Sequence, residues 1–216
     1  MKIGIIGSAA VGQVLANAFK SEGHNVMLGT RNTSKEEVVK FKNENQSIAV
    51  GTFKDTASFG EILVLATAGS VAENAIKLAG PSNFGDKVVI DATNPIAEAP
   101  PINGVLKFFT SLDDSLMERI QKLIPDAKVV KAFNSVGNTL MYKPKLQGGK
   151  PSMFICGNDD AAKKTVTDIL TTFGWETEDM GKAEAARAIE PLCILWCIPG
   201  FLKNDWMHAY KVLKPV

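Results

Sequence analysis

Histidine and cysteine are scarce in this chain: two and three residues of 216. Few groups are therefore left to build a metal centre, and no Ser-His-Asp set or reactive-thiol motif appears. Cys193 and Cys197 lie four apart in an apolar run with no further ligand types beside them, which reads as buried core thiols. His24 falls in the turn Glu22-Gly23-His24-Asn25, at the amino end of a strand, the wrong end for chemistry. His208 has no readable surroundings. Tyr210 and Lys214 have the spacing of the short-chain dehydrogenase pair, but no helix is expected there to present them. Excess charge of either sign is also missing. A net charge of +1 points to no nucleic-acid or membrane-surface partner. The longest apolar stretch, Pro191 to Leu202, is too short to span a bilayer. Lys2 runs straight into the short apolar segment Ile3–Ile6, without the pattern of a signal peptide. A cytoplasmic protein without a membrane partner is expected.

What is present is an ordinary globular composition, 45% hydrophobic and 22% charged, enough to bury a normal core. Strand and helix patterns alternate through the first two-thirds. Strands are predicted at Ile3–Ile6, Asn25–Gly29, Ser47–Thr52, Ile62–Ala66, Lys87–Asp91 and Val129–Ala132. The continuous apolar run Ile62–Ala66 should be central. Helices are predicted at Val11–Ser21, from a Ser34/Glu37 capping box to about Lys42, at Ser70–Leu78, and after a cap at Ser111 with Leu116, Ile120, Leu123 and Ile124 inward. The stretch Ala92–Thr110 reads as loop. This alternation implies an α/β fold, a Rossmann doubly wound parallel sheet. The final third reads as a strand at Met153–Cys156, a helix Asp159–Phe173 capped by Asn158, an edge strand Glu176–Met180, and an apolar helical region from Ala183 that Pro191 breaks or restarts. A small α+β C-terminal unit, residues 141–216, packed on a nucleotide domain of residues 1–140, is the domain division expected; its role would be substrate contact or dimerisation.

The first strand leads into Gly7-Ser8-Ala9-Ala10-Val11-Gly12 and then a helix. This is the Gly-x-Gly-x-x-Gly phosphate loop of dinucleotide-binding folds, with Ala9 at the middle glycine. Its context, between strand and helix, is what gives the pattern weight. The end of the second strand bears on the cofactor. An Asp or Glu there would bind the ribose 2′-hydroxyl of NAD, but the segment reads Gly29-Thr30-Arg31-Asn32. Arg31 can pair with a 2′-phosphate, with Thr30, Ser34 and Lys35 nearby, so NADP(H) is the expected cofactor.

Three further segments carry a resemblance: Asp91-Ala92-Thr93-Asn94-Pro95, Lys128-Val129-Val130-Lys131-Ala132-Phe133-Asn134, and Ala186-Arg187-Ala188-Ile189-Glu190-Pro191-Leu192. With the phosphate loop and the Gly29-Thr30-Arg31 turn, they make the chain resemble the coenzyme F420-dependent NADP oxidoreductases, whose fold recurs in the cytoplasmic domain of six-transmembrane ferric reductases. The resemblance implies that Thr67 and Ala68 line the dinucleotide. It places Asn94, Phe133 and Asn134 near the nicotinamide, with Pro95 and Ala132 also on the cofactor crevice, beyond the carboxyl ends of the strands where such folds bind ligands. On the residues alone, Asn94 could shape the turn before Pro95, and Phe133 could be core.

No acid–base residue presents itself, so no catalytic side chain is assigned. Carbonyl reduction needs a placed proton donor, whereas a ring acceptor needs mainly placement. The leading expectation is hydride transfer between NADP(H) and a small-molecule ring acceptor, coenzyme F420 or FMN/FAD. The competing readings are an NADPH-sensing module without turnover and a reductase of small imines or carbonyls similar to pyrroline-carboxylate reductase. The apolar face Ala188, Leu192, Leu195, Trp196 and Pro199 leaves core packing and a homodimer contact open.

Overall fold

The computed structural model describes residues 1–215. Eight strands form a sheet in the order β3-β2-β1-β4-β5-β6-β7-β8. They are β1 (Lys2–Ile6), β2 (Asn25–Thr30), β3 (Ala49–Thr52), β4 (Ile62–Leu65), β5 (Val88–Asp91), β6 (Lys128–Lys131), β7 (Ser152–Gly157) and β8 (Glu176–Asp179). The first six pair in parallel, as the alternation of strands and helices predicts. β4 is buried at every position, which suits a central strand covered on both faces. β7 then enters antiparallel to β6, and β8 runs parallel to β7. The residues after 140 thus continue the same sheet by two strands. The order reverses between β1 and β4, the switch point where ligands of such sheets bind.

Among the described residues there are eight α-helices: α1 (Ala10–Ser21), α2 (Glu36–Glu44), α3 (Phe53–Phe59), α4 (Gly69–Ala79), α5 (Leu116–Leu123) and α6 (Asp160–Thr172) lie between strands, and α7 (Ala186–Ile189) and α8 (Leu192–Lys203) follow β8. Two cores result. Leu15 and Phe19 of α1, Phe41 of α2 and Val166 of α6 cover one face. Ala72 and Ile76 of α4, with Leu116 and Ile120 of α5, cover the other.

Several ends differ from the sequence expectation, each through competition for a local hydrogen bond. Helix α2 begins one residue later than a Ser34 cap would place it. Its N-cap is Lys35 with no side-chain hydrogen bond, because the Ser34 amide is taken by Asn32 Oδ1 at 2.9 Å. The capping box forms instead between Thr52 and Asp55, and opens α3, a helix the periodicity did not suggest. Ser115, not Ser111, caps α5. Asp159, not Asn158, caps α6, with its Oδ1 accepting the Ala162 amide at 2.7 Å. Pro191 restarts the chain as the N-cap of α8. Taken together, Ala183–Lys203 is one helical run of 21 residues, by length and composition alone sufficient to cross a membrane, longer than the Pro191–Leu202 stretch considered above. Here it packs on the protein, with Ala186, Ile189, Glu190, Cys193 and Trp196 buried.

Candidate dinucleotide and hydride-transfer site

The phosphate loop takes the shape its glycines allow. Gly7 has φ +130°, in the half of the map that side chains rarely enter. A Cβ on Gly12 would sit 1.9 Å from the Gly7 carbonyl oxygen, so no larger residue fits against the first strand. Ala9 is exposed and extended as the N-cap of α1, where no side chain satisfies the first amides and no acid stands in the first turn. Those amides and the helix dipole are ready for an anion. Ala10 and Val11 begin α1, the former exposed and the latter resting on the core.

A groove of about 210 Å³ opens beside this helix end. It brings together Gly7, Ser8, Ala9, Arg31, Asn32, Lys35, Thr67 and Ala68. Its remaining walls include Glu37, Phe53, Val71 and Asn74, which sequence reasoning did not single out; Phe53 belongs to the unanticipated helix α3. Arg31 is exposed. Lys35 holds Glu37 at 2.9 Å. Thr30 is buried, and its hydroxyl accepts from Ser8 Oγ at 3.1 Å and donates to the Asn32 carbonyl at 3.3 Å. Thr30 therefore shapes the turn that carries Arg31. The Thr67 hydroxyl is buried without a hydrogen-bond partner, an unmet polar group on the groove wall. Helix amides, a lone arginine and an orphaned hydroxyl fit the pyrophosphate, 2′-phosphate and ribose of NADP(H).

The second set of expected residues lies further along the carboxyl edge, after β5 and β6. Asn94 Nδ2 donates to the Asn134 carbonyl at 2.8 Å, and Asn134 Nδ2 donates to the Ile189 carbonyl at 2.9 Å. Asn134 is 2% exposed, and its Oδ1 finds no close partner; the Asn94 Oδ1 contact from its Nδ2 is 3.4 Å. Pro95 and Ala132 are buried beside them. Phe133 takes a left-handed backbone, φ +64°, and its ring is buried in the core, 6.1 Å from the Phe173 ring. Of the two readings of Phe133, the structure shows the core one. Helix α4 links the two sets: its first residue, Gly69, packs so closely that a Cβ would lie 1.9 Å from the Asn94 carbonyl oxygen.

Beneath the pair sits a charge cluster that sequence reasoning missed. Lys131 Nζ lies 2.8 Å from Asp91 Oδ2 and 2.9 Å from Glu190 Oε1, and donates to the Thr93 carbonyl at 2.8 Å. All three side chains are buried. Burial disfavours the lysine charge, but Asp91 and Glu190 outweigh it and hold Lys131 protonated well above its ordinary value. Glu190 also accepts the Leu116 and Met117 amides at 3.0 Å each, capping α5 from across the chain. The available signal was a lysine and an aspartate at register-paired positions of two apolar strands, Asp91 opposite Lys131.

The scarce titratable groups are engaged elsewhere. His24 lines a separate cavity with Met1, Phe19 and Phe173, at the amino end of β2. His208 stacks on Trp196, ring centroids 5.2 Å apart, with Nε2 3.1 Å from the Trp196 carbonyl. Tyr210 donates to the Leu192 carbonyl at 3.1 Å. Cys193 is buried, as expected, whereas Cys197, expected in the core with it, is half-buried; Cys156 is buried too. Among the described residues no cluster of His, Cys, Asp or Glu could hold a metal ion.

A doubly wound sheet whose phosphate loop is followed by arginine where an acid would select NAD has the build of an NADP-binding fold. Comparison with known proteins agrees. Residues 2–95 match the profile of the family "NADP oxidoreductase coenzyme F420-dependent". A solved structure from Arthrobacter sp. FB24, provisionally assigned as an F420-dependent NADP-reductase, is 30% identical with a TM-score of 0.92, covering 99% of this chain and 100% of its own. The F420-dependent NADP reductase of Methanocaldococcus jannaschii is 26% identical over 89% of each chain. The metalloreductase STEAP3 of Rattus norvegicus is 29% identical over all of this chain, which spans 42% of STEAP3. The chain belongs to the family of coenzyme F420-dependent NADP oxidoreductases.

Proposed function

We propose that this protein transfers hydride between NADP(H) and a planar flavin or deazaflavin ring, with coenzyme F420 the first candidate acceptor. The observation that carries the reading is at the carboxyl edge. Further along that edge, against the start of α4, stand two amide side chains, Asn94 and Asn134, while Lys131 is locked between two carboxylates. Both histidines and Tyr210 are held at other contacts. Such a site orients a cofactor and an acceptor without delivering a proton to a carbonyl oxygen.

The chain's own work is then binding and placement. The α1 amides hold the pyrophosphate, Arg31 with Lys35 holds the 2′-phosphate, and Thr67 meets the ribose. Asn94 and Asn134 orient the nicotinamide end. NADPH, when bound, supplies the hydride, and a solvent proton completes the reduced acceptor ring. Residues 141–215 serve acceptor contact or self-association in this reading, and names such as F420 reductase and metalloreductase among the relatives support a ring or metal-chelate acceptor.

The test follows NADPH oxidation with coenzyme F420, FMN, FAD, a ferric chelate and a cyclic imine in parallel. Turnover with F420 or a flavin is expected to lead. Turnover confined to the imine would overturn ring-to-ring transfer. NADPH binding without oxidation by any acceptor would leave a sensing module instead.

A further inference from the structure

Placing a lysine and two carboxylates out of water is costly, and apolar residues of the same volume often serve stability as well or better. The Asp91–Lys131–Glu190 cluster therefore calls for a role other than holding the core together. Its bonds show where that role lies. Asp91 Oδ1 accepts the Thr93 amide at 2.9 Å and the Thr93 hydroxyl at 2.6 Å, and Lys131 takes the Thr93 carbonyl. Thr93 is thus held at its amide, hydroxyl and carbonyl, and the next residue is Asn94. Lys131 also grips Glu190. The residue before Glu190 is Ile189, whose carbonyl accepts from Asn134 Nδ2. The chain of contacts closes through Asn94 Nδ2 and the Asn134 carbonyl.

The Ile189 carbonyl can only accept, so it dictates the orientation of the Asn134 amide and leaves Oδ1 as the buried acceptor with no partner. A buried acceptor without a partner calls for a specific role. From this geometry we propose that Lys131 is a positioning residue. Through Thr93 and Glu190 it fixes Asn94 and Asn134, so that their amides hold the nicotinamide end of the bound dinucleotide at the angle hydride transfer needs. The proposal deepens the hydride-transfer reading and rests on it for the identity of the ring end.

The experiment separates the adenosine half of the cofactor from the nicotinamide half. Lys131→Met is the direct variant. Asp91→Asn/Lys131→Met/Glu190→Gln is its neutral, nearly isosteric companion, which strands no charge and decides the matter if the single variant does not fold. Affinity for adenosine 2′,5′-bisphosphate, the Tm and the fluorescence emission of bound NADPH are measured, together with kcat and KM on the best acceptor. In a folded variant the bisphosphate affinity and the KM for NADPH stay near wild type. The emission enhancement of bound NADPH, which reports an immobilised nicotinamide, is lost. The kcat falls on the order of 100-fold, the scale of about 1 Å of misplacement. A folded variant with wild-type emission and kcat would overturn the proposal, as would parallel loss of bisphosphate affinity. The emission comparison needs no acceptor, so wild-type protein that oxidises NADPH with nothing on the panel would refute the hydride-transfer reading while the emission still judges Lys131.

Discussion

The two ends of the carboxyl edge are built on different physics. At the nucleotide end, between β1 and β2, the binding features are backbone amides and exposed side chains: the uncapped start of α1, Arg31 and Lys35. They stand within some thirty positions of one another, and little has to be buried to place them. At the other end, beyond β5 and β6, the amide pair rests on charges drawn from positions 91, 131 and 190, all out of water. The first end takes its charge from the ligand and leaves its own groups solvated. The second end satisfies its charges internally and presents neutral amides. If the proposed hydride transfer holds, the two ends divide the work: a wet, cationic grip for the polyanion at one end and a dry, rigid platform at the other.

Four substitutions can break or sharpen that contrast, in order of expected effect. Gly12→Val should remove binding of NADPH and NADH alike, because even a Cβ would meet the Gly7 carbonyl oxygen at 1.9 Å. Titration of both cofactors against a variant shown to be folded checks it; retained affinity would place the pyrophosphate elsewhere. Lys131→Met leaves two carboxylates buried without their cation, and breaking such a pair typically costs ~3–5 kcal/mol. Denaturant unfolding should show a loss on that scale, whereas a loss below about 1 kcal/mol, the range of exposed ion pairs, would mean the cluster is more hydrated than its burial indicates.

Arg31→Ala is smaller and selective. Losing a charge-assisted hydrogen bond costs ~1.5–3 kcal/mol, roughly 10- to 150-fold in affinity, and the loss should fall on NADPH while NADH is barely affected. Equal losses for both cofactors would take Arg31 out of 2′-phosphate recognition. The smallest effect is expected of Glu118. Arg187 donates to both of its oxygens, at 2.6 and 2.9 Å, and this lowers the Glu118 carboxyl below its ordinary 4.5 against the opposing pull of burial. With the folded value depressed, the ion pair stabilises fully above about pH 4.5 and loses that contribution as the pH falls through the folded value. The Tm of Glu118→Gln should therefore lie below wild type at pH 7 and converge on it under acid. Parallel Tm curves from pH 7 to 3 would contradict the pairing.

What could be read in advance follows the same divide. The six parallel strands, the phosphate loop and the Arg31 turn were legible because each is a local pattern: an apolar run, a glycine spacing, an absent acid. Capping was less legible, since Ser34, Ser111 and Asn158 all have the right chemistry, and only the folded backbone shows that Lys35, Ser115 and Asp159 take those positions. Helix α3 escaped notice because its seven residues, from Phe53 to Phe59, are too few to show a period. Asn94 and Asn134 were found through resemblance, but nothing local said that each would anchor the other.

The sequence alone determined the wound sheet and the anion-binding turn, because hydrophobic periodicity and glycine conformational freedom act over a few residues. Tertiary structure alone decided three things. It buried the Phe133 ring in the core, on a left-handed backbone. It ran β7 antiparallel to β6. It brought Asp91, Lys131 and Glu190 into contact. The physical reason is that a buried charge is tolerable only beside its counter-charge, and these three residues, spread over a hundred positions, meet only when strands β5 and β6 and the junction of α7 and α8 have been assembled around them.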